Sequence, residues 1–393
     1  MTAARPPLVT ARFALVVGAG LAYFLALAML LPVIPRYVEG PLGGGSVAVG
    51  VAVGSFAVGA VLLRPFAGRV GDRTGRRVLI VGGALVVAAS TACYGLVASM
   101  PWIVLARFVS GIGEAAFFVG AATMITDLAP VERRGEAVSY WSVAVYGGLA
   151  FGPLLGELVV GSTADGGGRW GAAWAISAAL AGVAAALGAA TVEVPRAAPT
   201  GPPPRLVHPA AVGPGVVLFL GLIGLAGFSA FVPLYVDELD LADAGPIFLV
   251  YGVFVLVVRI VGARLPDRVG PMRSATAALA LGGAGTAVMA TWVAVPGLVA
   301  GTIVFAAGMS LMYPALLLLS LTGVPDGERA AVVGTFSSFF DLSQGIGALL
   351  CGVVVALSGD RGAFATGAVC AAIGLLVLRR SASLRARSSA PVT

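Results

Sequence analysis

No lysine and no asparagine occur in the 393 residues, and there is one histidine, one glutamine and three cysteines. Without a lysine amine there is neither a Schiff-base nucleophile nor a phosphate-loop lysine, which excludes imine chemistry and ATP hydrolysis in this chain. Cys93, Cys351 and Cys370 lie in apolar tracts without CxxC spacing, so neither a disulfide framework nor a zinc site is indicated, and they read as packing residues. His208 stands in a proline-rich stretch with no second ligand near it, and neither a metal nor a cofactor is expected. Charge is also scarce. Only 11% of residues are charged, against about 25% in a soluble domain.

What is present is apolar: 59% hydrophobic residues and a mean hydropathy of +1.01. A bilayer core about 30 Å thick needs roughly 20 apolar residues per helix, so the length holds about a dozen helices and only short loops. The composition is that of a polytopic membrane protein with no separate soluble domain. The isoelectric point near 9.6 does not indicate a nucleic-acid partner, because the arginines fall at the ends of apolar tracts rather than along one face.

Twelve tracts are predicted to span the membrane, at about 13–35, 47–68, 78–99, 102–125, 137–160, 172–192, 214–236, 245–263, 274–295, 297–323, 330–357 and 362–378. The first runs into Pro32 and Pro35 without a small-residue cleavage site, and so is expected to be a retained helix rather than a signal peptide. With the N-terminus inside, twenty arginines fall on the cytoplasmic side and only Arg36, Arg169 and Arg361 on the other, with Arg107 inside the fourth span. Basic residues resist translocation, so both termini are expected to be cytoplasmic in a plasma membrane.

The proline-dense stretch around 193–214 divides the chain into an N-terminal six-helix bundle, 1–193, a cytoplasmic linker, 194–213, and a C-terminal six-helix bundle with a short tail, 214–393. The halves are related. A slide of 195 residues places Arg64, Arg69, Asp72, Arg73 and Gly75 on Arg259, Arg264, Asp267, Arg268 and Gly270, and also Gly113 on Gly308 and Gly152 on Gly347. Such parallel duplications characterise transporters whose substrate site lies between the halves, near the midplane.

Between spans 2 and 3 the chain reads RPFAGRVGDRTGRR, Arg64 to Arg77. Gly68 permits close helix approach, Gly75 supplies a turn, and Asp72 is a carboxylate among cations. Ordinary topological anchoring would explain the arginines alone, but the GxxxDRxGRR spacing resembles the signature loop of the major facilitator superfamily. The resemblance covers the whole chain and implies an all-α membrane protein with the superfamily's fold, twelve transmembrane helices in two pseudo-symmetric six-helix bundles. It also implies a cytoplasmic gate built on Gly68, Asp72, Arg73, Gly75 and Arg76, with Asp127 and Arg134 from the next cytoplasmic loop and Asp267 and Arg268 from the repeat copy. In the family the loop's Asp faces a helix N-terminus, which stabilises the outward-facing state through the helix dipole.

In the fifth span Gly148, Gly152 and Gly156 form one stripe and Pro153 removes a backbone donor. A tight helix contact is the plain reading. The stripe also resembles the family's antiporter motif, with Glu157 in place of its last glycine. At membrane depth this leaves Arg107, Glu114, Glu157 and Asp341 as proton-coupling candidates. Arg107 and Glu114 are two turns apart and share a face; a structural ion pair and a proton-carrying role both fit them, and Arg107 has Glu157 as a second possible partner. Asp341, with Gln344 one turn on, is either a second protonation site or a receptor for a cationic substrate. Tyr23, Tyr146, Phe228, Tyr251, Tyr313 and Gln344 are candidates for lining a substrate cavity, though each aromatic alone also suits packing.

The expected function is secondary transport, not enzymatic catalysis: proton-driven export, by alternating access, of a small, largely hydrophobic compound such as a drug or natural product. Expected partners are that small-molecule substrate, protons and the lipid bilayer, with the chain acting as a monomer. The alternatives are a proton-coupled importer of a sugar, amino acid or organic acid, disfavoured by the lack of amide side chains, and a non-transporting membrane sensor or chaperone.

Overall fold

The computed structural model describes residues 8–130, 133–161, 168–193, 207–261, 269–325 and 328–388. Among them the regular structure is helical throughout: α1 (Ala11–Ala28), α2 (Leu30–Glu39), α3 (Ser46–Thr74), α4 (Arg76–Ala92), α5 (Met100–Leu128), α6 (Arg134–Val160), α7 (Trp170–Ala189), α8 (Pro209–Glu238), α9 (Gly245–Val261), α10 (Pro271–Thr291), α11 (Val295–Leu321), α12 (Arg329–Ser358) and α13 (Arg361–Ser388), with a 3-10 turn at Cys93–Gly95. Helices are what a lipid-embedded backbone requires, because each satisfies its own amides.

Eleven of the described segments are long and apolar enough to cross a membrane, and α9 is a shorter apolar helix of 17 residues. Together they occupy the twelve tracts expected from hydropathy. The first crossing, Ala11–Glu39, contains a break between α1 and α2 at Met29. Pro32 explains it: the ring clashes with the carbonyl four residues back, at Ala28, and offers that carbonyl no N–H. Starts are marked chemically too. Thr10 Oγ1 accepts from Phe13 N at 3.2 Å at the head of α1, and Pro101, Pro271 and Pro296 fill first-turn positions of α5, α10 and α11, where no amide partner is needed.

The chain divides into two compact units, Met1–Gly43 with Ser55–Pro202 (unit 1) and Gly44–Gly54 with Pro203–Thr393 (unit 2). In unit 1, α1 packs on α6 and α7, and α4 on α5 and α7. In unit 2, α8 packs on α12 and α13, and α10 on α11 and α13. The second set is the first set moved 195 residues along the chain. The match extends to single contacts: a methyl group on Gly113 would lie 2.7 Å from the Gly83 carbonyl oxygen, and one on Gly308 2.7 Å from that of Ala278. Helices in lipid have no hydrophobic drive to associate, so close backbone approach over small residues supplies the packing energy, and the duplication preserved it. Gly75 and Gly270 precede α4 and α10 with φ of 100° and 94°, a region that favours glycine.

Candidate functional site

Glu114 lies at the middle of the 29-residue helix α5, inside an almost wholly apolar sequence. Its partner is Arg64 of α3, whose Nη2 donates to Oε1 at 3.3 Å and to Oε2 at 3.2 Å. The two side chains are 12% and 10% exposed. The Arg64 guanidinium also stands 5.0 Å from the Phe118 ring centroid on α5, while Arg107 of α5 stands 4.5 Å from the Phe56 ring on α3. This reciprocal arrangement follows from the glycines between: a side chain on Gly59 would collide with the Phe108 carbonyl and one on Gly111 with the Phe56 carbonyl. With the backbones in contact there, the long side chains on either side reach across to the opposite helix.

Arg36 and Glu157 form a second buried pair, Nη1 to Oε2 at 2.8 Å, joining α2 to α6. The glycine stripe explains how. A methyl on Gly152 would lie 2.6 Å from Ala28 Cβ, and side chains on Gly148 and Gly156 would collide with Phe24 and with the Met29 carbonyl. The stripe therefore seats α6 directly on the α1–α2 break and delivers Glu157 to Arg36. Arg36 and Arg64 thus join the four charges that sequence alone assigned to membrane depth. Glu114 meets Arg64 and Glu157 meets Arg36, and the Arg107 guanidinium stands over Phe56.

At the α3–α4 junction, Arg76 Nε approaches Asp127 Oδ2 at the end of α5 to 3.7 Å, so two of the residues assigned to the gate meet. Arg73 is exposed. Gly68 and Asp72 lie in the last turns of α3 and Arg134 opens α6; the side chains of Asp72 and Arg134, and Asp267 and Arg268 altogether, lie outside the described residues. Glu193 was missed by the sequence reading. It follows α7 and accepts from Arg76 N at 2.8 Å and Arg77 N at 2.9 Å, capping α4 with a carboxylate on its first two amides. Its place at the junction of bundle and linker gave no sign of which helix end lies beside it.

In unit 2, Asp341 is buried within α12. The Tyr313 hydroxyl is 2.8 Å from Ser337 Oγ, one turn before it, and Gln344 Nε2 donates to Ser343 Oγ at 3.4 Å. Phe228 and Tyr251 pack with Phe305 and Phe228 also with Phe248. Tyr23 and Phe228 are fully buried in their own units, and Tyr146 is half-buried on α6. Among the described residues no three His, Cys, Asp or Glu side chains gather as for a metal ion.

The sequence profile of the Major Facilitator Superfamily matches residues 16–348. An uncharacterized MFS-type transporter of Salmonella typhimurium is 30% identical over 368 residues, covering 90% of this chain and 92% of its own. An MFS-type transporter of Burkholderia mallei is 27% identical over 366 residues, covering 90% and 87%. Among solved structures, a nucleoside transporter superposes with a TM-score of 0.75 at 13% identity over 94% of this chain and 99% of its own. A human organic anion transporter gives 0.71 at 19% identity over 95% and 100%. At such identities the structural likeness speaks for the fold.

Proposed function

The chain belongs to the major facilitator superfamily of membrane transporters, a non-enzymatic class, and from that premise we propose that it is a proton-coupled antiporter exporting a small, largely hydrophobic organic compound. The observation that carries this reading is the buried Arg64–Glu114 pair at mid-helix. Protonating Glu114 removes the negative charge that the Arg64 guanidinium contacts, a change on the order of 1.5–3 kcal/mol for hydrogen bonds to a charged group. A step of that size is enough to bias one conformation over another, which is what coupling a proton to alternating access demands. Asp341, buried near the middle of α12, serves as a second acidic site in this proposal.

Export is supported by the Gly148, Gly152, Pro153, Gly156 motif, and an apolar cargo by the absence of asparagine and the single glutamine. The proposed orientation has both termini and the arginine-rich α3–α4 junction in the cytoplasm, the gate residues Asp72, Arg73, Arg76, Asp127 and Arg134 closing that side, and a monomer in the plasma membrane.

The test is accumulation of a compound panel in an efflux-deficient host expressing the wild type, Glu114→Gln or Asp341→Asn. The reading expects lower accumulation of at least one compound with the wild type, reversed by Glu114→Gln and by an uncoupler. Unchanged accumulation across the panel, with no effect of the uncoupler, would sink it; higher accumulation with the wild type would make the protein an importer.

A further inference from the structure

Tyr23 is fully buried on α1, and among the described residues its hydroxyl has no hydrogen-bond partner. Burying a hydroxyl in that state is costly, and phenylalanine would fill the same space without the cost. The ring stacks on Phe117 at 3.7 Å and 9°, and Phe117 is three residues after Glu114 on the same side of α5.

A second set of buried hydroxyls lies next along α5. Ser110, one turn before Glu114, has its Oγ 2.7 Å from Ser90 Oγ and 2.7 Å from the Tyr94 hydroxyl, with the Ala106 carbonyl at 3.0 Å. Ser90 in turn reaches the Val87 carbonyl at 3.1 Å. Ser110 has one proton and three oxygens within bonding distance, so its donor pattern is degenerate and protons can be reassigned without moving a heavy atom. Tyr94 belongs to the 3-10 turn at the end of α4 remote from the arginine-rich junction. Trp174 packs against its ring at 5.4 Å, Trp102 Nε1 donates to Cys93 O at 2.7 Å, and Leu96 is largely exposed. Clustered tryptophans of this kind mark a membrane–water boundary.

We propose that Tyr94, Ser90, Ser110 and Tyr23 form a buried hydroxyl relay carrying protons between this end of unit 1 and Glu114. The proposal rests on Glu114 being the coupling carboxylate. At each hop an arriving proton bonds to a lone pair of one oxygen while that oxygen's own proton passes to the next, so every hydroxyl ends neutral. The net result is one proton on the Glu114 carboxylate and the release of Arg64. Ser110 and Glu114 are separated by four residues, about 6 Å of helix rise, and the proposed path crosses that gap through the Tyr23 hydroxyl with a water on either side of it.

The experiment needs no substrate. The purified full chain in lipid nanodiscs is stepped from alkaline to acidic pH, and the infrared C=O band of the protonated carboxylic acid is followed in time and assigned by its loss in Glu114→Gln. The relay requires Tyr23→Phe and Ser110→Ala to slow the band's appearance on the order of tenfold or more, at an unchanged titration midpoint and melting temperature. Tyr235→Phe, a fully buried tyrosine of unit 2, should leave the rate alone. Wild-type rates in both variants, or a shifted midpoint without slowing, overturn the relay while leaving Glu114 as the coupling group. Absence of any Glu114-dependent band overturns the coupling reading and the relay together. Should Ser110→Ala fold poorly, Tyr94→Phe gives the same test.

Discussion

Arg36 Nη1 donates to Glu157 Oε2 at 2.8 Å across 121 residues of chain, with the two side chains 7% and 5% exposed. Glu157 stands where the resembled motif has its last glycine. One residue earlier, Gly156 abuts the Met29 carbonyl at the α1–α2 break. The departure from the motif thus adds a charged contact where the two backbones are nearest.

Removing one member of this pair takes a charge-assisted hydrogen bond from the other, buried group, which costs about 1.5–3 kcal/mol. Arg36→Met or Glu157→Met alone should therefore lower the melting temperature of the detergent-purified protein sharply. The double replacement should recover most of the loss. A double variant whose loss equals the sum of the two single losses would mean that the two charges do not depend on each other.

The same reasoning applies to Arg64 and Glu114. A double-mutant cycle of Arg64→Gln and Glu114→Gln should show a coupling energy of about 0.5–3 kcal/mol by thermal unfolding, the double variant being more stable than the sum of the singles predicts. Additive effects would remove the basis for linking protonation to conformation.

Gly113 and Gly308 occupy equivalent positions against α4 and α10. A methyl at either enters backbone at 2.7 Å or less, so alanine there should cost about 1–3 kcal/mol. Gly82 on α4 has nothing within 4 Å of its would-be Cβ, and Gly82→Ala should be neutral or gain up to about 1 kcal/mol from helix propensity. Thermal unfolding of the three variants distinguishes tight from open helix faces.

Glu193→Ala should loosen the head of α4, at a cost of about 1–2 kcal/mol typical of a lost cap. Amide exchange at Arg76 and Arg77 should accelerate, while exchange in α5 stays as in the wild type. Gly75→Ala should do the same, because a side chain there meets both the positive φ and Glu193 Oε2 at 2.8 Å.

That twelve apolar tracts form helices was readable from hydropathy down to the short α9, and the 195-residue repeat from matched glycines and arginines. Gly75 and Gly270 illustrate why: a positive φ before a helix is a local demand that a single residue type meets. The break at Met29 was likewise readable from Pro32. Glu193 was not, since nothing about an acidic residue at a linker start says which helix end lies beside it. Arg36 and Arg64 were read as boundary arginines because their neighbours in sequence are those of a boundary, yet α3 runs ten residues beyond Arg64 and leaves its side chain only 12% exposed.

The sequence by itself determined that this chain is a membrane bundle of about twelve helices in duplicate, with the family signature at the α3–α4 junction. Bilayer thickness, backbone satisfaction and proline geometry all act over a single helix, so their traces are local. Tertiary structure alone decided which carboxylate meets which guanidinium: Glu114 with Arg64, 50 residues away, and Glu157 with Arg36, 121 away. The physical reason is that a buried charge takes whichever partner the touching helix faces present, and those faces are set by glycine contacts between helices distant in sequence.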